Sequence, residues 1–203
     1  MSIPRPDRST SSRKRERGAA LVELSLVASV LVVFILGIFE IGMAWSDHQS
    51  LTQASRSGAR VGSQLGLKGE ADRASLQAIE AAIGTLDGTL TRVVVFEADT
   101  SGEMPPARET ATVGYSGPAN CNVYDATSIA SLGNPALWGS GTSCGTADDN
   151  WCSATDRDGD LYTASFVGVQ VEFEREYLTG FFGGGTQLIT EQTVMRIEPG
   201  ANT

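Results

Sequence analysis

The chain has 203 residues, 41% of them hydrophobic, and a formal charge of −9, which leaves room for one ordinary domain beside an anchor. Charge is unevenly placed: residues 1–18 hold six of the fifteen basic groups against two acidic ones, whereas from Ser46 onward nine basic residues face twenty acidic ones, a net −11. An outer portion so acidic repels nucleic acid and anionic lipid heads, which excludes both as its partners, and the basic leader reads as a topology signal instead.

Leu, Ile, Val and Phe supply fifteen of the 27 residues from Ala19 to Trp45, and Leu24 to Phe39 carries no charge. As a helix this stretch is about 40 Å long, enough to cross a hydrocarbon core of about 30 Å with some tilt. Glu23 and Glu40 stand about 26 Å apart along the axis, so each falls near a boundary. There a carboxylate costs less than the ~2.5–3.5 kcal/mol of the bilayer centre, and its side chain can snorkel. Six basic residues precede the span and none follows it until Arg56, which predicts a single pass with the N-terminus in the cytoplasm. Gly42-Met43-Ala44 before Trp45 offers small residues for a signal peptidase, but an apolar region this long exceeds an ordinary signal peptide.

Beyond the span, Leu51, Ala54, Gly58, Val61 and Leu65 recur at spacings of three and four, which predicts that one long helix continues outward. Its Ser, Gly and Ala content allows another element to approach closely, either a partner subunit or this chain's own sheet. After Gly66 to Gly69, the segment Glu70 to Ile83 reads as a second, amphipathic helix. Strand patterns follow at Thr91 to Ala98, Ala164 to Arg175 and Gln187 to Ile197. In the second of these Phe166, Val169, Val171 and Phe173 nearly alternate, with Gly168 as a candidate bulge. The Gly-rich connection Tyr177 to Thr186 predicts that the last two strands pair antiparallel. The fold class expected is α+β: a long transmembrane helix extending outward, a second helix and a small antiparallel sheet. The organisation is a leader at 1–18, a transmembrane helix at 19–45, the helical extension, second helix and first strand at 46–98, a loop-rich insert at 99–163, strands at 164–198 and a tail at 199–203.

The insert is rich in Gly, Pro, Asn, Ser and Asp, with only Tyr124 to Leu132 resembling a short helix, and holds Cys121, Cys144 and Cys152. Cysteines confined to the outer segment suit an oxidising compartment. Three pairings are open, and the short loop favours Cys144 with Cys152. Asp156, Asp158 and Asp160 alternate in a tight turn that could converge oxygens on Ca²⁺, the one candidate cofactor; a solvated acidic turn is the alternative. The turn departs from the EF-hand pattern, since glycine falls at the fourth place and Val167 stands where the twelfth-place Glu belongs. His48 is the only histidine, and no nucleophile triad, phosphate loop or zinc spacing surrounds it, so no enzyme and no small-molecule substrate is expected.

Two stretches carry a resemblance. Arg17-Gly18-Ala19-Ala20-Leu21-Val22-Glu23-Leu24, with Gly37-Ile38-Phe39-Glu40-Ile41-Gly42 near the end of the span, and Gln53-Ala54-Ser55-Arg56-Ser57-Gly58-Ala59-Arg60-Val61-Gly62 together resemble the TadE-like family of minor pseudopilins from tight-adherence, Flp-type pilus systems. The resemblance implies a type IV pilin-like subunit or assembly component in a bacterial inner membrane, with the bilayer and other pilin, pseudopilin and assembly-machinery subunits as partners. It also implies prepilin-peptidase-like processing between Gly18 and Ala19, with Glu23 as fifth residue of the mature chain and setting subunit register. Leu24 stands where the family often has an aromatic residue. The alternatives are a membrane-tethered binding domain, Ca²⁺-stabilised at the Asp156 turn, and a secreted protein cleaved after Ala44.

Overall fold

The computed structural model describes residues 9–99, 102–104, 112–113, 120–148, 150–177 and 184–198, with side chains from Gly18 on. The first part of the basic leader, most of the Gly-rich connection before Thr186 and the tail fall outside these residues. The chain divides into two compact units between Ala44 and Trp45. Helix α1, Ser9–Leu65, is continuous through that point, because no proline interrupts its 57 residues.

In the first unit the helix is apolar on every side and exposed. Leu21, Val22, Leu24, Leu26, Phe34, Ile38 and Phe39 all show more than half of their surface. Its two central hydroxyls do not need water: Ser25 donates to the Val22 carbonyl and Ser29 to the Ser25 carbonyl, each at 2.8 Å. A helix of this kind, long and apolar enough to cross a membrane and with none of its most apolar window buried, satisfies its backbone internally and leaves its side chains to lipid.

The second unit is a four-stranded antiparallel sheet with helices on one face. Strands β1 (Thr89–Glu97), β2 (Cys121–Asp125), β3 (Phe166–Glu176) and β4 (Thr186–Arg196) lie in the order β2-β1-β3-β4. The predicted antiparallel pairing of the last two strands runs over the whole of β3, from Phe166 opposite Arg196 to Glu176 opposite Thr186. Helix α2 (Ala71–Ile83) places Leu76, Ile79 and Ile83 against the sheet. They meet Val93 and Val95 of β1, Val167, Val169, Val171 and Phe173 of β3, and Leu51, Ala54 and Ala59 of α1. The opposite face of the sheet holds a smaller cluster of Val94, Phe96, Ala98, Met104, Cys121 and Val123.

Four expectations change. The insert contributes a strand: Tyr124, expected at the start of a short helix, lies in β2. The helix shrinks to α3 (Ala126–Ala130), capped by the Asp125 carboxylate accepting from the Ser128 N–H. The buried alternation in β3 runs through Val167, Val169, Val171 and Phe173, so Phe166 faces the other side and is partly exposed. Gly168 makes no bulge; it pairs in register, and its missing Cβ makes room for the Phe96 ring, which a Cβ would approach to 2.2 Å. The register shift falls instead between Leu90 and Arg92 of β1.

The small-residue face of α1 is occupied by this chain itself. Leu51, Ala54, Ser55, Gly58, Ala59, Gly62 and Ser63 are buried at spacings of three and four. A Cβ on Gly58 would stand 2.6 Å from Ile79 of α2, whereas one on Gly62 would meet nothing closer than 3.7 Å. Ser75 of α2 closes the contact by donating to the Gly58 carbonyl at 2.8 Å. Both positions gain helix propensity from alanine, but only Gly58 suffers overpacking. Gly58→Ala is therefore expected to destabilise the chain by about 1–3 kcal/mol, with Gly62→Ala neutral or slightly stabilising. Denaturant unfolding of the two full-length variants in detergent checks this, and equal stability would refute the close packing.

Candidate assembly surface and the polar clamps behind it

Gly18, Ala19 and Glu23 lie on the exposed part of α1, and nothing stands within 4 Å of where a Gly18 Cβ would project. Ala19 and Glu23 are four residues apart and share one face of the helix. The Glu23 carboxylate is exposed and bonds no side chain among the described residues. Desolvating it has a cost that an opposite charge or donor on a neighbouring helix would offset. Glu40 behaves differently from a snorkelling boundary residue, since only 4% of it is exposed.

Past the span, a row of polar contacts bolts the outer half of α1 to the sheet. Arg175 Nε lies 3.0 Å from Asp47, with both side chains largely covered. His48 Nδ1 lies 2.6 Å from Glu191, whose other oxygen accepts from Thr52 at 3.1 Å, and the Ser55 and Thr193 hydroxyls are 2.8 Å apart. Burial raises the Asp47 carboxyl above its usual range, a shift that Arg175 opposes and Asp87 reinforces. Thus the lone histidine holds the helix to β4.

A second polar assembly, not anticipated from sequence, ties the insert to α2. Arg157 Nη2 pairs with Asp72 at 2.5 Å, with their side chains 0% and 1% exposed. The other Asp72 oxygen accepts from the Tyr124 hydroxyl and the Asn122 amide, both at 2.8 Å. The Arg157 guanidinium lies 4.1 Å over the Trp151 ring, and Asn122 accepts from the Trp151 N–H at 2.9 Å. Burial and the Asp72 charge push the Tyr124 hydroxyl well above its usual value. Breaking such a pair leaves an uncompensated buried charge, which is why one partner cannot be removed cheaply.

The Cys144–Cys152 disulfide closes the loop that carries Asp148 into this assembly, and Cys121 is buried in the sheet, outside that bridge. Asp156, Asp158 and Asp160 do not converge. Asp156 accepts from the Cys152 N–H and the Thr155 hydroxyl, Asp158 from the Asp160 N–H and the Thr163 hydroxyl, and Asp160 from the Tyr162 N–H. Asp158 is held below the usual carboxylate range by the Thr163 bond first, and then by the Asp160 N–H. Among the described residues no group of three or more His, Cys, Asp or Glu side chains is placed to hold a metal ion. The residue of this turn that reaches the interior is Arg157.

Asp148 is fully buried, and one of its oxygens accepts from the Gly145 N–H at 2.7 Å while the other has no partner among the described residues. Burial, followed by the charge of Asp72, raises its carboxyl to about 6. A carboxyl that holds its proton more tightly when folded contributes stability below its unfolded value near 4, and that stability is lost as pH rises through 6. The unfolding free energy is therefore expected to carry a component falling by about 1–2 kcal/mol between pH 4 and pH 7, read as a lowered thermal midpoint, which Asp148→Asn abolishes. Identical pH profiles for parent and variant would show that this carboxyl is not the group responsible.

No curated protein and no solved structure matches the chain. Residues 18–60 match the family model described as TadE-like protein, which bears out the resemblance over the apolar span and the outer half of α1 as far as Arg60. A TadE-like segment carried on one apolar N-terminal helix fits a membrane-anchored protein associated with a Tad pilus.

Proposed function

We propose that this chain is a single-pass minor pseudopilin or assembly component of a bacterial tight-adherence pilus, acting by helix packing and subunit association without a chemical step. The observation that carries the reading is the coincidence of the TadE-like match with an apolar helical span most of whose large side chains the chain's own fold leaves uncovered. Such a surface is stable in lipid, and there it is available to other helices through close packing and interhelical polar contacts. The basic leader is placed in the cytoplasm and the acidic unit outside, at the inner membrane.

Glu23 takes the register role. A cut between Gly18 and Ala19 would create a new α-amino group, and the exposed Glu23 carboxylate of a neighbouring subunit is the charge that would compensate it. Association through such a pair fixes how far one helix stands along the axis of the next. The disulfide-closed loop and the Asp72–Arg157 pair hold the outer unit rigid, as an interaction module needs.

Glu23→Ala is expected to leave membrane insertion unchanged, since it removes a carboxylate from an apolar span, and to reduce pilus assembly by about tenfold or more. Fractionation together with pilus counts in cells lacking the parental chain checks both halves, and full assembly by the variant would remove the proposed role. N-terminal sequencing of the mature protein is the companion measurement. Ala19 as first residue supports prepilin-type processing, Trp45 would indicate secretion, and an uncut chain would indicate a simple tether.

A further inference from the structure

Among the basic residues of the acidic unit, Arg92, Arg157 and Arg175 are ion-paired, and Arg73 and Arg196 donate to the carbonyls of Leu132 and Leu161. Arg56 and Arg60 have no such engagement among the described residues. They stand one turn apart on the exposed side of α1, in a groove shared with Ser46, Gln49, Gln53 and Met195 of the edge strand β4. Gln and Ser side chains supply further donors along the same groove, so it is built to receive negative charge.

A second groove has the opposite character. Asp87, Glu174 and Glu176 line it together with Gly88, Thr89 and Thr186, and none of the three carboxylates is ion-paired among the described residues. Glu174 and Glu176 flank the buried Arg175 in β3, so they project from the face of the sheet that the helices leave uncovered. The basic groove lies on the helix side. Because Arg175 is bonded to Asp47, the acidic groove is level with residue 47 of α1. Arg56 and Arg60 stand nine and thirteen residues farther on, about 14 and 20 Å along the axis.

We propose that these grooves are two halves of one contact between neighbouring copies of this chain, Arg56 and Arg60 of one copy meeting Asp87, Glu174 and Glu176 of the next. The proposal rests on the reading above, in which parallel copies associate as subunits of one assembly. A unit of net −11 repels its own copies, so a stable contact must draw on the few uncommitted positive groups. Complementary patches then fix which surfaces meet. The halves face opposite sides of the sheet, which makes the contact head-to-tail: it is not consumed by a two-fold pair, and each copy keeps one half open. Parallel copies must also be offset along α1 by about 14–20 Å for the charges to meet, more than the about 6 Å that a Glu23 to Ala19 pairing sets, so the groove contact joins a different pair of neighbours in the assembly.

The test uses the full chain in neutral detergent micelles, where copies are free to slide along α1, with self-association read by energy transfer between differently labelled copies. R56E/R60E and E174K/E176K are each expected to weaken association by about tenfold or more, because each sets like charges against one another. Mixing the two variants is expected to restore transfer between them, since the remaining parental grooves match each other and the two reversed grooves also carry opposite charge. The quadruple variant is expected to recover longer assemblies. Parental association by either double variant, or no recovery in the mixture, would overturn the contact; circular dichroism identifies any variant that has lost its fold. Pilus formation is scored separately. Pili that form normally without the chain would remove the proposed function and leave the contact standing, whereas double variants that associate like the parent would remove the contact and leave the function.

Discussion

A helix apolar on all sides over its first half and close-packed on one side over its second half imposes two solvents on one element. In the first half the fold covers almost nothing, and the hydroxyls of Ser25 and Ser29 turn back to their own backbone, so lipid is the environment in which the segment is satisfied. In the second half the same helix needs a partner close enough to exclude water. It finds one because Ala54, Gly58, Ala59 and Gly62 let α2 and the sheet approach to backbone distance. The small residues that promote association between membrane helices are used here, outside the span, to join the helix to its own domain.

That closure leaves the outer unit little area for a large core, and polar bonds make up part of the difference. Asp47, His48, Thr52 and Ser55 each contact β3 or β4, so the helix is registered on the sheet by direction as well as by burial. The insert is held in the same manner. Asp72 accepts from three side chains drawn from two distant segments, which is how a long, irregular stretch acquires a single position despite having few apolar residues. The cost is a second carboxylate, Asp148, kept near the first in a dry setting, which raises its carboxyl to about 6.

Charge organises what remains outside. Most arginines of the acidic unit are spent internally, on Asp47, Asp72, Glu172 and backbone carbonyls, so few positive groups are left uncommitted at its surface. Arg56 and Arg60 are the exception on α1, and both fall within the TadE-like match. Helix, clamp and groove thus follow from one division of labour along α1: lipid-facing side chains first, sheet-facing small residues next, and a charged outer face opposite them.

The anchor, the continuation of its helix to Leu65, α2 and three of the four strands are legible in sequence, because each follows a period set by local geometry, 3.6 residues for helices and 2 for strands. Strand β2 is not, since Cys121–Asp125 is short, polar at Asn122 and set among loop residues; it becomes a strand only by pairing with β1. Phe166 and Gly168 show the same limit, as the side each faces depends on Phe96 and β4, which are remote in the chain. Of the aspartates at 156, 158 and 160, alternation suggests ligands, but each is committed to its own turn, while the Arg157 between them finds its role only when α2 brings Asp72 to it. Sequence by itself determined where the apolar span lies and which of the periodic elements form, because those depend on neighbours a few residues away. Tertiary structure alone decided which small and polar residues touch, because burial and ion pairing depend on distances that no local pattern encodes.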